Sequence, residues 1–251
     1  MKLSVKNLGV TLSDKSILKD ISANFYEGEM VGVIGHNGAG KTTLLKAIAG
    51  LIKYEGSVEI TDGEKLVDKS AVVRYVPQMS SVSTQLTVFE MVLLGLVKDL
   101  SWKVTKDIFQ QVDNVLHAMQ IGQLAYIPMS ELSGGQRQLV FLAQAFVSKP
   151  KVLLLDEPTS ALDIRHQLIV MNAIKNYTET HSAITLTIMH DLLSASRFSQ
   201  KILLLENKGL SILDEPALVL EAQRLERIYN VKVSVEKTQS GFLNVVPIKP
   251  I

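Results

Sequence analysis

The first part of the chain shows the alternation of apolar and polar residues that is typical of β-strands. Residues 3–12 and 21–25 follow this pattern, which predicts early strands with one buried face. Residues 30–34 form a short apolar run, as in a strand buried on both faces. Helical spacing then covers residues 42–49 and ends at Gly50, a residue that commonly stops helices.

The rest of the chain alternates between strand and helix patterns. Short apolar runs predict further strands at residues 56–60, 72–76, 152–155, 183–189 and 202–205. Residues 87–149 instead show helical periods, which indicate a helical insertion. Beyond residue 224 we expect a short helix and two final strands around a turn at Ser240. Strands that alternate with helices predict a largely parallel sheet covered by helices, so the fold class is α/β.

Composition narrows the function classes. A chain of 251 residues with 47% hydrophobic content suits one sizeable domain with an inserted subdomain. Its 26 basic and 25 acidic residues nearly cancel and form no long basic run, which argues against nucleic acid as a partner. Cysteine is absent, which excludes disulfides and thiolate metal sites. No apolar run resembles a signal peptide or spans a bilayer, so we expect a soluble, cytoplasmic protein.

A complete Gly-x-x-x-x-Gly-Lys-Thr loop joins the buried strand to the first helix. The loop consists of Gly35, His36, Asn37, Gly38, Ala39, Gly40, Lys41 and Thr42, and Thr43 follows it. Its glycines let backbone N–H groups approach phosphate oxygens, and the helix directs its positive end at the anion. We expect Lys41 to reach the β- and γ-phosphates of ATP and Thr42 to bind Mg²⁺.

A second motif precedes an apolar helical run and has two interpretations. It consists of Ser133, Gly134, Gly135 and Gln136. Ser and Gln three residues apart form a capping box, which does no more than begin a helix. An exposed helix N-terminus with flexible glycines also binds phosphate. The two interpretations are compatible, and the other motifs favour the phosphate contact.

A third motif places two adjacent carboxylates at the end of an apolar strand. Asp156 and Glu157 follow residues 152–155, and ligands of α/β sheets bind at the carboxyl ends of strands. We expect Asp156 to hold Mg²⁺, directly or through water. Glu157 is expected to polarise the attacking water. Together the three motifs predict that the chain binds and hydrolyses Mg-ATP.

In combination, these motifs resemble those of the nucleotide-binding subunits of ATP-binding cassette (ABC) transporters, over essentially the whole chain. The resemblance implies a P-loop NTPase with a RecA-like core, an N-terminal antiparallel β subdomain and an inserted α-helical subdomain. Residues 1–86 and 150–224 would form the core and β subdomain. Residues 87–149 would form the helical subdomain, which contains the family's signature motif at residues 132–136. Residues 225–251 would form a short tail.

The resemblance also assigns roles to isolated residues. Gln78 matches the Q-loop glutamine, which senses Mg²⁺ and contacts the membrane partner. Residues 160–163 match the D-loop, so Asp163 is expected near the nucleotide. His190 matches the switch histidine that contacts the γ-phosphate. His117, His166 and His181 show no ligand spacing, and we interpret them as ordinary polar residues.

Leu12 occupies the position where the family usually has an aromatic residue that stacks on adenine. Base stacking is then weaker, or an apolar contact from Leu12 or Ile17 replaces it. Phosphate contacts would dominate nucleotide binding in either case.

Finer resemblance points to importers of iron-siderophores, haem and vitamin B12. Residues 158–167 and the ending 228–233 are similar to that group, although Leu96 and Asn230 replace its usual Arg and Gly. The resemblance implies an ATP-dependent homodimer on the cytoplasmic face of the plasma membrane. Its partners would be integral-membrane permease subunits and, indirectly, an extracytoplasmic substrate-binding protein. A soluble, non-transport cassette ATPase, such as one for iron–sulfur cluster assembly, is the alternative.

The region from Gln78 to Leu96 would form the groove that receives a cytoplasmic helix of the permease. Its apolar residues between positions 88 and 93 have two interpretations. They partly face that helix, or they pack within the helical subdomain.

Overall fold

The computed structural model describes residues 1–78, 84–99, 105–160, 162–206 and 209–251. The strands are β1 (Lys2–Leu12), β2 (Lys15–Tyr26), β3 (Met30–Ile34), β4 (Glu55–Asp62), β5 (Lys65–Leu66), β6 (Val73–Val76), β7 (Val152–Leu155), β8 (Ile184–Ile188), β9 (Lys201–Glu206), β10 (Leu210–Asp214), β11 (Val231–Lys237) and β12 (Leu243–Pro250). The α-helices are α1 (Lys41–Ile48), α2 (Lys69–Val72), α3 (Val88–Leu93), α4 (Lys106–Ala118), α5 (Gly134–Phe146), α6 (Ile164–His181), α7 (Leu192–Phe198), α8 (Pro216–Val219) and α9 (Ala222–Tyr229). Among the described residues, none of these helices has the length and apolar character needed to cross a membrane.

Within the described ranges, six strands form the central sheet, in the order β10-β9-β3-β8-β7-β6. All neighbours in it are parallel except the edge pair of β9 and β10. Every residue of β3 is buried, and alternate side chains enter different cores. Met30 and Ile34 join the core that also contains residues of α3, α4 and α5, whereas Val31 and Val33 join the core of α1 and the N-terminal sheet. The predicted two-sided strand and largely parallel sheet are confirmed.

The N-terminal strands form a separate antiparallel sheet in the order β2-β1-β4-β5. Its inward residues, such as Leu3 and Phe25, are almost fully buried and share a core with α1. Helix α1 begins one residue earlier than predicted. Gly50 has φ 73° just beyond its C-terminus, and its N–H donates to the Ala47 carbonyl. This left-handed cap is the reason why the helix ends where the sequence indicated.

The described residues between β6 and β7 are mainly helical, as predicted, and they contain a close approach between backbones. A Cβ on Gly95 would lie 2.1 Å from the Gln144 carbonyl oxygen, so a 3₁₀ turn at Leu94–Asp99 contacts α5 through glycine. The next residue, Leu96, is only 3% exposed, and this burial does not suit the arginine that often follows the glycine in the family. The predicted groove is described only in part, because residues 79–83 lie outside the described residues.

The apolar residues of α3 mainly pack within the subdomain. Val88, Met91 and Val92 are buried, and the Phe89 and Phe109 rings are in tilted contact, with their centroids 4.8 Å apart. The interpretation that these side chains form the internal core is therefore correct for the three buried residues. Exposed apolar side chains lie just beyond α3, at Leu94 and Val97, and on α4, at Phe109.

The C-terminal tail is a helix followed by a two-stranded antiparallel ribbon, α9, β11 and β12. Asn230 joins helix to ribbon at φ 57°, a left-handed conformation that asparagine tolerates better than most residues. The substitution of Gly by Asn at this position is therefore compatible with the turn. The ribbon is anchored to α7, because the Leu243 N–H donates to Ser196 Oγ at 2.8 Å.

An ion pair fixes α9 to the end of β9. Arg227 Nη2 lies 3.0 Å from Glu206 Oε2, and the Glu206 side chain is only 7% exposed. We expect Arg227→Ala to lower the free energy of unfolding by about 1–3 kcal/mol, because it leaves a buried carboxylate without its donor. Urea denaturation of both proteins measures this difference.

A second substitution separates this effect from lost packing. Adding Glu206→Leu to Arg227→Ala removes the buried charge, and we expect it to restore part of the stability. Equal urea midpoints for the wild type and Arg227→Ala would show that the pair contributes nothing.

Candidate nucleotide site

The glycine loop forms an open cradle between β3 and α1. Gly38 and Gly40 have φ of 83° and 95°, left-handed values that glycine adopts without strain. A Cβ on Gly38 would meet no atom within 4 Å, so the space beside the loop is open. The N-cap of α1 is Gly40, which has no side chain to accept a hydrogen bond from the first N–H groups of the helix. This arrangement fits an external anion such as phosphate.

Lys41 is the first residue of α1 and reaches back over the loop. Its Nζ donates to the carbonyl oxygens of Gly35, at 2.8 Å, and His36, at 3.1 Å. Burial lowers the pKa of Lys41, whereas the nearby carboxylates of Glu157 and Asp156 act in the opposite direction. The amine is thus held at the loop by weak neutral acceptors, which charged phosphate oxygens would replace.

Thr42 and Asp156 meet beneath the loop. Thr42 Oγ1 donates to Asp156 Oδ1 at 3.1 Å, and Asp156 is 4% exposed at the end of β7. Mg²⁺ is usually held by one or two protein oxygens together with phosphate oxygens and water. A hydroxyl and a carboxylate side by side fit that ion.

Tyr75 completes the surroundings of Asp156 and was not predicted. Its hydroxyl donates to Asp156 Oδ2 at 2.9 Å from the neighbouring strand β6. Burial, followed by the hydrogen bond to Asp156, raises the pKa of Tyr75. The phenol therefore stays a donor that orients the carboxylate. Only the register, in which Tyr75 lies opposite Leu154, brings the two groups together.

Glu157 is the meeting point of three distant parts of the sequence. Gln78 Nε2 donates to Glu157 Oε2 at 2.7 Å, and His190 Nε2 lies 2.5 Å from Glu157 Oε1. Glu157 has φ 49°, an uncommon backbone conformation for a residue with a side chain. Such strain is typical of functional positions. The structure therefore brings together Gln78, Glu157 and His190, and their roles toward Mg²⁺, water and the γ-phosphate stay predictions.

The sheet order explains this convergence. Strand β8 lies between β3 and β7, so the residues that follow these three strands share one edge of the sheet. His190 follows β8, and Asp191 then caps α7 by accepting the Ser194 N–H at 2.9 Å. The cap fixes where the chain turns after His190.

The second motif begins α5 with a complete capping box. Ser133 Oγ accepts the Gln136 N–H at 3.3 Å, and Gln136 Oε1 accepts the Ser133 N–H at 2.9 Å. The predicted capping role is confirmed. Contact between these residues and a phosphate stays a prediction.

Comparison with known proteins identifies the family. The ABC transporter family profile matches residues 18–160, which is more than half of the chain. The chain belongs to the ABC transporter family. Its members with this domain are the ATPases of their transporters, and this chain is such an ATPase.

The chain is similar to ABC subunits along nearly its whole length. It is 37% identical to a hemin import ATP-binding protein of Pseudomonas fluorescens over 93% of this chain and 94% of that protein. It is 31% identical to a probable iron chelatin transport ATP-binding protein of Helicobacter pylori over 92% of this chain and 93% of that one. A solved structure of a transporter assigned to the metal-chelate ABC type aligns with TM-score 0.86, 27% identity and coverage of 98% and 97%.

Asp163 of the predicted D-loop caps α6 in this ABC subunit. Its Oδ1 accepts the His166 N–H at 2.9 Å, and its Oδ2 lies 2.8 Å from His166 Nδ1. These bonds from the His166 backbone and ring hold the pKa of Asp163 below its ordinary value. Ala161 of the predicted D-loop lies outside the described residues. The contact of the His166 ring with Asp163 was missed, although an Asp that begins a helix is a recognisable N-cap signal.

The predicted adenine contacts of this ABC subunit lie on the β1–β2 hairpin. Leu12 is 44% exposed near the end of the hairpin, opposite Lys15. Ile17 lies closer to the loop, because a Cβ on Gly40 would be 3.4 Å from Ile17 Cγ2. Contact between either residue and adenine stays a prediction.

Proposed function

We propose that this chain is the ATP-hydrolysing subunit of an importer for a metal chelate, such as haem or an iron chelate. The observation that carries the ATPase part is the convergence of Gln78 and His190 on Glu157 beside the glycine loop. The import part is supported by the relatives, whose names assign them to hemin and iron chelatin transport.

Hydrolysis would use residues that are already placed. Lys41 would exchange the loop carbonyls for phosphate oxygens, and Thr42 and Asp156 would hold Mg²⁺, which neutralises phosphate charge. Glu157 would turn from its present partners to orient a water for in-line attack. Gln78 would be released toward the metal, and His190 toward the γ-phosphate.

Two copies of the chain would form two complete sites. In this arrangement Ser133 and its neighbours close over the nucleotide of the other copy, while Asp163 lies near the same interface. The side chain of Ile164, next to Asp163, is 78% exposed, which suits an apolar contact that forms on dimerisation.

The permease would bind the helical subdomain at the cytoplasmic face of the membrane. The exposed side chains of Leu94, Val97 and Phe109 supply apolar surface there, and we refer to them as the subdomain patch.

The test is a tagged pull-down from detergent-solubilised native membranes, with mass spectrometry of the proteins recovered. We expect wild-type protein to recover a polytopic permease. Val97→Lys should lower that recovery by about tenfold, since a buried lysine is costly in an apolar interface. Leu51→Lys is the matched control, because Leu51 is 59% exposed and lies just beyond α1, outside the helical subdomain.

Two outcomes would contradict this proposal. Recovery of a soluble scaffold without a permease would favour the non-transport ATPase. If Val97→Lys and Leu51→Lys lower the recovery of the permease equally, the subdomain patch is not part of the interface.

A further inference from the structure

The His166 side chain lies between Asp163 of the predicted D-loop and Gly135 of the signature motif. It lies on the first turn of α6, and its ring is within hydrogen-bond distance of Asp163. On its other side the ring fills the place that a side chain on Gly135 would occupy. A Cβ on Gly135 would lie 2.4 Å from His166 Cδ2 and 3.1 Å from its Cβ.

Gly135 is required by this packing and not by its backbone conformation. It is not among the residues with positive φ, and α5 already runs through it. The imidazole therefore sets how closely α5 approaches α6. Because Asp163 holds the ring from the opposite side, the ring cannot swing away without losing that hydrogen bond.

The hydrogen bond from the ring exceeds what capping of α6 needs. Asp163 Oδ1 accepts the backbone N–H of residue 166, which any amino acid would supply. In addition, Asp163 Oδ2 lies within hydrogen-bond distance of the ring nitrogen Nδ1 of His166. The side chain is also only 27% exposed, although it begins a surface helix. A role confined to helix capping does not account for either feature.

We propose that His166 is a positioning residue that fixes the signature end of α5 relative to Asp163, and so sets how one copy closes over the nucleotide of the other. The inference rests on the proposed two-chain site. His166 touches neither the glycine loop nor Glu157 in any described contact, so it acts through Gly135 and Asp163.

Three substitutions separate the two contacts of the ring. His166→Ala removes both contacts, His166→Phe keeps a ring over Gly135, and His166→Asn keeps an amide for Asp163. We expect the Ala variant to lower kcat by about tenfold, since small misplacements at an active site have effects of this size or larger. The kcat of the Phe variant and that of the Asn variant should each lie between the values of the Ala variant and the wild type.

The affinity of a single chain for nucleotide separates positioning from general damage. Binding of a fluorescent ATP analogue to the wild-type chain uses the glycine loop, so its Kd should stay within about twofold in every His166 variant. His117→Ala is the matched control. His117 also lies on a helix beside an aspartate, Asp113 at 3.3 Å, and beside a glycine, but away from the motifs.

Combination with Gly135→Ala tests the contact itself. When His166 is present, the methyl group that Gly135→Ala adds collides with the imidazole ring. We therefore expect Gly135→Ala alone to cause a severe loss of kcat. With His166→Ala the space is free, and the double variant should be more active than Gly135→Ala alone. Additive losses would overturn the proposal, and so would full activity of His166→Phe.

Dimerisation distinguishes failure of this inference from failure of the proposed function. In a Glu157→Gln background, Mg-ATP should produce a dimer, and His166→Ala should weaken it. A dimer of unchanged stability overturns the role of His166 alone. The absence of any dimer from the Glu157→Gln protein, with its permease present, overturns the two-chain site and this inference with it.

Discussion

Glu157→Gln is expected to lower the rate of ATP hydrolysis by at least about 100-fold while ATP still binds. The carboxylate is the group that can accept a proton from attacking water, and an amide cannot. The substitution keeps size and shape, and the new amide oxygen can still accept the hydrogen bond from Gln78 Nε2 while the amide NH2 group faces His190. The loss should therefore appear in kcat, with little change in the affinity for ATP.

The measurement is release of phosphate under saturating Mg-ATP, together with the oligomeric state by light scattering. We expect the variant to accumulate as a dimer, because hydrolysis no longer separates the two copies. Glu179→Gln is the control, since Glu179 lies on the exposed side of α6 and pairs at 3.9 Å with Lys175. Hydrolysis at more than half of the wild-type rate would show that another group orients the water. A variant that stays monomeric beside its permease would contradict the dimer mechanism.

The glycine loop was the easiest part of the site to predict, because its chemistry is contiguous in sequence. Gly38 and Gly40 take the left-handed conformations that their residue type allows, and Lys41 follows at once. A motif of this kind determines its own local geometry. No information about the rest of the fold is needed to interpret it.

The residues around Glu157 required the family resemblance, because their meeting depends on the order of strands. Gln78 and His190 follow β6 and β8, and nothing local in the sequence places those strands beside β7. Without the resemblance, Gln78 and His190 are interpreted as ordinary polar residues at the ends of strands. The convergence is a property of the parallel sheet.

Tyr75 and His166 were missed for a related reason. Tyr75 reaches Asp156 through strand register, and His166 reaches Gly135 through the packing of α6 on α5. Hydrophobic periodicity predicts that strands and helices exist, but not which polar atoms meet between them. The same limit applies to β12, which runs to Pro250 because its backbone pairs with β11, although its apolar pattern ends earlier.

Lys41→Met is expected to weaken Mg-ATP binding by at least about 100-fold. The ammonium group would form charge-assisted hydrogen bonds to two phosphates, and each such bond is worth about 1.5–3 kcal/mol. Methionine is similar in length and fits the buried position, where Lys41 is 6% exposed. The variant should therefore fold, while its glycine loop lacks the cation.

Ligand-induced stabilisation measures this loss without a labelled nucleotide. A ligand that binds only the folded state raises Tm in proportion to the logarithm of its excess over Kd. Both proteins are measured at the same millimolar concentration of Mg-ATP. The wild type should show a clear increase in Tm, and Lys41→Met should show almost none. Lys46→Met, in the last turn of the same helix, is the matched control and should keep the increase. Because Lys41 contacts the carbonyl oxygens of Gly35 and His36, its removal also alters the loop itself. The difference between Tm with and without Mg-ATP, and not Tm itself, therefore decides whether Lys41 binds phosphate. An undiminished increase for Lys41→Met would contradict that role.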